Sequence, residues 1–349
     1  MEIRIYSPGM EFLGIIENFR SLLWNRSYNG CGDFELHVPV TPYALTLFHR
    51  ENLVWKKGAA DAGIIETRHI EETADANELV VSGRFLPAYM DRRLVRPLFN
   101  FSGRAEVAMR NMLTNASTIP HVQLDTLHGF PEYIQFQATY KKLLTIEQKV
   151  AKAAGFGFRF RPDFTEKKIT MEIYKGADRS IAQSDRARVI FSADYGNLSR
   201  ATYDDSTQLY ANVCYVGGQG EGTERTFVTV GDDSLTGLAR REIFINGSDI
   251  SPEGLTDAEY LEKLRQRGRD TLEEHQVVQA MECELLPSGN FTYLKDYDVG
   301  DIVTVRKDNW DVSQNLRITG ISEIYEDGAM KIEPTIGTPL PETINWEED

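Results

Sequence analysis

This 349-residue sequence predicts a mixed, β-rich α+β fold: two small β-barrels per chain, with an α+β domain inserted between them. The first observation is a ladder of period two in 297–337. Val303 and Val305 share one face of their run. Leu316 and Ile318 alternate with Arg317 and Thr319, and Met330 and Ile332 with Lys331 and Glu333, as half-buried strands do. The second is a similar alternation at the other end of the chain, and the third is the confinement of helical periodicity to a few short stretches between them.

Within the ladder, Asp327-Gly328 signals a hairpin, because a type I′ turn needs positive φ at both central residues. After Ile318 the next apolar residues are Ile321 and Ile324, so the phase slips about Gly320 and predicts a β-bulge or sharp bend.

Residues 1–95 read as the first barrel. Ile3 and Ile5 alternate with Glu2 and Arg4, Phe34, Leu36 and Val38 alternate with Asp33, Glu35 and His37, and 79–82 follows an Ala76-Asn77 turn. A short helix over 41–48 has Thr41 as N-cap and Pro42 at its first position. Residues 96–195 form the α+β domain. Its helices are 105–113 and 143–154, the second ending at Gly155, and its strands are 156–160 and 169–174. Residues 196–337 form the second barrel, with strands at 198–204, 209–216, 226–230, 242–245 and 277–285 before the ladder. A helical insertion near 255–276 opens on the capping box Thr256-Asp-Ala-Glu259, and 338–349 is an acidic tail.

The chain carries 53 acidic against 38 basic residues, a formal charge of −15, with the acids dispersed. Such a field repels nucleic acid and argues against binding its phosphates specifically, although a duplex could pass by without sticking. The three cysteines, Cys31, Cys214 and Cys283, have neither zinc-knuckle nor redox spacing, which points to reduced thiols. With no signal-peptide pattern and no long apolar run, the expectation is a soluble protein made in a cytoplasm, with no membrane anchor.

No stretch carries recognisable catalytic chemistry. Gly217-Gly218-Gln219-Gly220-Glu221-Gly222 suggests a phosphate loop, but a strand follows the glycines where a helix N-terminus would be required, so a hairpin loop is the simpler reading. Asp296-Tyr-Asp298-Val-Gly300-Asp301 resembles the start of a calcium loop, yet its twelfth position is Lys307. The six histidines, at 37, 49, 69, 121, 128 and 275, form no HExxH, and His69-Ile-Glu71 lacks the paired cysteines of a zinc deaminase. His121 and His128 could meet Asp125 across a loop, and Asp204-Asp205 and Asp232-Asp233 read as solvated strand ends or turns. Trp24, Tyr28, Trp55, Tyr89, Trp310 and Tyr325 could line a sugar-stacking surface, but such aromatics more often build core or subunit interface. No catalytic, cofactor-binding or metal-ligating residue is assigned.

Several motifs resemble one family. Leu22-Leu23-Trp24-Asn25-Arg26-Ser27-Tyr28, Gly32-Asp33-Phe34-Glu35-Leu36, Ala62-Gly63-Ile64-Ile65-Glu66, Val81-Ser82-Gly83-Arg84 and Asp91-Arg92-Arg93 are similar to the siphovirus ReqiPepy6 Gp37-like tail proteins. So are Tyr297-Asp-Val-Gly-Asp301, Ile318-Thr-Gly-Ile321 and Pro334-Thr-Ile-Gly337. The resemblance implies a structural, non-enzymatic tail hub or baseplate protein of a phage or prophage virion, similar in fold to the trimeric hub of contractile tails. Its implied partners are two further copies of itself, a distal tail protein or tail tube protein, the tape measure protein, and tail-tip or receptor-binding proteins. A trimer would present six similar barrels to a sixfold tube around a gated channel. Two alternatives stay open: a tail-associated peptidoglycan hydrolase or peptidase, and a carbohydrate-binding module for host attachment.

Overall fold

The computed structural model describes residues 1–72, 77–115, 119–286, 289–326 and 328–337. The N-terminal region supplies β1 (Ile3–Tyr6), β2 (Phe12–Ile16), β3 (Ser21–Ser27), β4 (Asp33–Pro39), α1 (Pro42–Leu47), β5 (Leu53–Lys56), β6 (Gly63–Ile64), β7 (Thr67–Glu72) and β8 (Asn77–Arg84). The middle region supplies β9 (Leu94–Val95), β10 (Phe99–Arg104), α2 (Ala105–Asn115), β11 (Val122–Leu124), β12 (Tyr133–Ala138), β13 (Lys141–Lys142), α3 (Leu143–Ala154), β14 (Gly157–Asp163), β15 (Lys168–Tyr174) and β16 (Ile190–Ser192). There follow β17 (Leu198–Ser206), β18 (Val213–Gly217), β19 (Phe227–Gly231), β20 (Glu242–Asn246), α4 (Asp257–Glu274), β21 (Val278–Leu285), β22 (Ile302–Lys307), β23 (Val312–Glu326) and β24 (Ala329–Gly337).

The helices form where the sequence signals place them. Thr41 Oγ1 accepts the Ala44 amide at 3.0 Å to open α1, α3 stops at Gly155 with φ +67°, and both halves of the Thr256/Glu259 capping box are made at α4. The strand expected over 209–216 begins only at Val213, because Tyr210 donates its amide to Thr207 O in a turn. The acidic tail and the Ala76 and Asp327 halves of the two expected turns lie outside the described residues. On either side of Asp327, Glu326 pairs with Ala329 and Gly328 has φ +76°.

The two ends of the chain share one sheet. Ten strands run β17-β21-β24-β23-β3-β4-β8-β7, with β16 and β22 joined through β23. The expected pair of separate barrels is not what this pairing gives: among the described residues no sheet closes into a ring. The cause is β23, whose first half, from Val312 to Arg317, pairs with β22 and whose second half, from Gly320 to Glu326, pairs with β3. The register shift on the β24 side falls between Ile318 and Gly320, so the bulge expected at Gly320 marks the change of partner.

Among the described residues there are four cores. One lies between the four-stranded sheet β2-β1-β5-β6 and the N-terminal part of the large sheet, around Ile3, Leu22, Trp24, Phe34 and Leu36. A second joins the first sheet to the middle region through Tyr6, Leu53 and Ile64 against Met109, Val150, Phe156 and Phe158. A third surrounds Tyr28, Phe191, Val303, Val305 and Ile336. The fourth is separate: β18, β19 and β20 form their own three-stranded sheet, with Cys214, Val216 and Val228 packed against Tyr260 and Leu264 of α4. The insertion is therefore larger than the helix alone. It leaves the main sheet after Ser206 and rejoins it at Val278, and those two residues are cross-strand partners.

Glu147 of α3 is fully buried, and neither carboxylate oxygen has a hydrogen-bond partner among the described residues. Burial alone pushes its pKa well above the ordinary carboxylate value. The unfolded chain ionises Glu147 in the usual range, while the folded chain holds the proton to higher pH. This group therefore costs stability progressively as pH rises from the unfolded pKa to the folded one. Glu147→Leu should abolish that loss and stabilise the protein at pH 8 by about 1–3 kcal/mol relative to pH 5. Denaturant unfolding of both proteins at the two pH values measures it, and parallel pH profiles would contradict it.

Candidate functional site

The densest chemistry lies where β3, β23 and the 297–301 loop meet. β3 alternates strictly, with Leu22, Trp24 and Arg26 facing inward. The last inward position thus holds a charge, buried to 7% exposure, which needs partners. Arg26 Nε donates to Asp61 Oδ2 at 2.9 Å, and Nη1 donates to Asp298 Oδ1 at 2.5 Å and Tyr293 Oη at 2.7 Å. Tyr293 Oη in turn donates to Glu323 Oε1 at 3.1 Å, and Tyr325 Oη donates to Glu323 Oε2 at 2.6 Å. Glu323, opposite Trp24 in the β3–β23 register, forms an ion pair with Lys56 of β5. One polar chain therefore runs Asp61–Arg26–Tyr293–Glu323–Lys56 and ties three parts of the sequence together.

The electrostatics follow from burial. Desolvation lowers the Lys56 pKa, outweighing the pull of Glu323, and burial raises that of Tyr293 despite Arg26 beside it. For Arg26, desolvation opposes the charge, but Asp61, Tyr293 and Asp298 prevail and keep it protonated.

Tyr28 is a second tie. Its hydroxyl donates to Gly155 O at 2.9 Å and accepts from the Gly176 amide at 3.3 Å, while the Arg317 guanidinium lies 5.0 Å from its ring centroid. Gly300, φ +97°, passes so close that a side chain there would enter the Tyr28 ring. Asp301 Oδ1 accepts the Ala177 amide at 2.7 Å and Oδ2 accepts Arg179 Nε at 2.8 Å. The acids of 296–301 thus face separate partners: Asp296 caps the Thr292 amide, Asp298 meets Arg26 and Asp301 holds 177–179. They do not converge as a calcium loop would.

The other sequence candidates disperse. Gly217–Gly222 forms the hairpin between β18 and β19. His128 Nε2 lies 3.9 Å from Asp125 Oδ2, whereas His121 Nδ1 faces Lys167 O at 3.0 Å. Trp24 and Tyr28 are core; Trp55, Tyr89 and Tyr325 are half-buried, and Trp310 is 42% exposed. Among the described residues no three His, Cys, Asp or Glu side chains gather as a metal site, and no helix is long and apolar enough to cross a membrane. The network residues Lys56, Asp61, Tyr293 and Glu323 carried no motif. Their one sequence signal was a charge at an inward position of an alternating strand, as at Arg26 and Glu323.

This topology is the fold of phage and prophage tail proteins. It is similar to the 43 kDa tail protein of prophage MuSo2 from Shewanella oneidensis (TM-score 0.62, 15% identity, covering 96% of this chain and 98% of that one). It is also similar to prophage tail protein gp18 from Listeria monocytogenes (TM-score 0.57, 12% identity, 98% and 96%), and to a chain of the Francisella PdpA–VgrG complex (TM-score 0.53, 10% identity, 100% and 60%). The chain belongs to the siphovirus ReqiPepy6 Gp37-like protein family, whose pattern matches residues 2–338. No curated protein matches it in sequence.

Removing Arg26 strands Asp61 and Asp298 at the joint. Arg26→Ala should lower unfolding stability by about 3–5 kcal/mol, with Arg26→Lys in between. Guanidinium titration measures both, and a loss below about 1 kcal/mol for Arg26→Ala would show that the network does not hold the joint.

Proposed function

We propose that this chain is a structural hub of a phage or prophage tail, a homotrimeric ring joining the tail tube or distal tail protein to the tail tip. Family membership supports the tail assignment, and a fold similar to tail proteins along nearly the whole chain is the observation that carries it. Two β-rich regions, 1–95 and 196–337, flank the α+β region 96–195. In a ring of three chains, two such regions per chain give six elements, a match for a sixfold tube. The sharing of β23 between the two regions supports their acting as one rigid unit. The ring encloses a channel for the tape measure protein and DNA, and the net charge of −15 favours passage of DNA over its retention. The buried charges and tyrosines of the joint are all engaged with one another, which supports a structural role over hydrolysis.

Native mass measurement at micromolar concentration should give three times the chain mass of 39.6 kDa. A persistent monomer, even beside its tail partners, would overturn the trimer. Images of intact tails labelled on this chain should place it between tube and tip.

A further inference from the structure

The glycine-dense turn after β18 has a geometry that the hub reading leaves unused. It folds back so that the Gly218 amide donates to Thr226 O at 2.7 Å and the Gln219 amide donates to Tyr260 Oη of α4 at 2.7 Å. This return lays the Arg225 side chain flat across the central strand at Gly217, whose missing side chain makes the slot: a Cβ there would lie 2.7 Å from Arg225 Cζ. Arg225 Nε donates to Gly218 O and Nη2 to Gly217 O, both at 2.9 Å, and Nη2 also donates to Asn246 Oδ1 at 2.6 Å. Its guanidinium sits 5.6 Å from the ring centroids of both Phe227 and Phe244, on the two flanking strands.

These two phenylalanines are 55% and 53% exposed, on the sheet face opposite α4. Exposed aromatic pairs flanking a fixed cation are a recognition surface more than a packing one. The charge is also unbalanced. Arg240, in the connection before β20 and over the ring of Tyr215, is neutralised by Asp233 and Glu242. Arg225 bonds only to carbonyl and amide oxygens, and its Nη1 makes no hydrogen bond among the described residues. In a chain of net charge −15, a preorganised guanidinium without a carboxylate is set to accept one from outside. Both β19 and β20 are edge strands, so a polypeptide strand can align beside them.

We propose that Arg225, clamped over Gly217 between Phe227 and Phe244, binds an Asp or Glu carboxylate on an extended segment of another tail protein, docking the 207–277 lobe against it. That the partner is a tail protein rests on the hub reading; the carboxylate chemistry does not. The test uses the full chain and peptides tiled across the other tail proteins of the same phage or prophage, with oligogalacturonate as a glycan arm. Bound peptides should carry an acid whose change to Asn or Gln weakens binding at least about tenfold. Arg225→Gln should weaken it similarly, and so should Gly217→Val, which evicts Arg225 without removing it; circular dichroism confirms that both variants fold. Arg225→Lys should recover little, since a lysine cannot lie flat in the slot. Peptides insensitive to the acid or to Arg225→Gln, no bound peptide at all, or binding of oligogalacturonate alone would each overturn the proposal. Acid-dependent peptide binding by a chain that remains monomeric would uphold this site and defeat the hub ring instead.

Discussion

Strand β23 serves two neighbours in turn within one sheet, and the rest of the molecule is arranged around that handover. Up to Arg317 it is a partner of β22, and from Gly320 it is a partner of β3, while β24 follows on its other side. A regular strand keeps one neighbour along its length; a bulge bends and twists it enough to leave one and meet another. Remove the handover and the N-terminal sandwich and the C-terminal sheet become two bodies linked only through the middle region. With it, β4, β8 and β7 extend a sheet whose other edge is β17, from just past the middle of the chain.

The buried charges read differently in that light. A network of Arg26, Asp61, Tyr293, Glu323 and Lys56 is a poor way to gain stability, because each ion gives up its hydration. It is a good way to fix register. Sliding β3 by one residue against β23 would turn Arg26 away from Asp61 and Asp298 and point Glu323 elsewhere, leaving several unpaired charges in place of none. The same slip would turn Leu22 and Trp24 out of the core, so apolar burial and ion pairing specify one register together. Tyr28 and Gly300 add a steric lock just beyond the strand end.

Local features of this fold were legible in the sequence and distant ones were not. Thr41, Gly155 and the Thr256/Glu259 box mark helix ends because caps are satisfied within a few residues. The phase slip at Gly320 was equally visible, since alternation records which face a residue occupies. Alternation does not record which strand lies alongside, so the pairing of β3 with β23 went unseen. For the same reason β18, β19 and β20 looked like members of a second barrel when they form a separate sheet under α4. Arg26 and Glu323 stood at inward positions and could have been flagged as a buried pair of sites. Their bridge, Tyr293, sits in a loop with no periodicity to betray it.

The β3–β23 pairing also sets a timetable for synthesis. A ribosome releases β3 long before β23, so the inward face of Leu22, Trp24 and Arg26 waits without its neighbour while the intervening chain is made. Contacts so far apart in sequence close a long loop, which slows folding and leaves a strand edge open to other nascent chains meanwhile. The 207–277 lobe carries its own core and can settle within that interval. Completion of the large sheet is thus tied to release of β23, and a chain cut short of β23 and β24 would be unable to present a finished surface to an assembling tail.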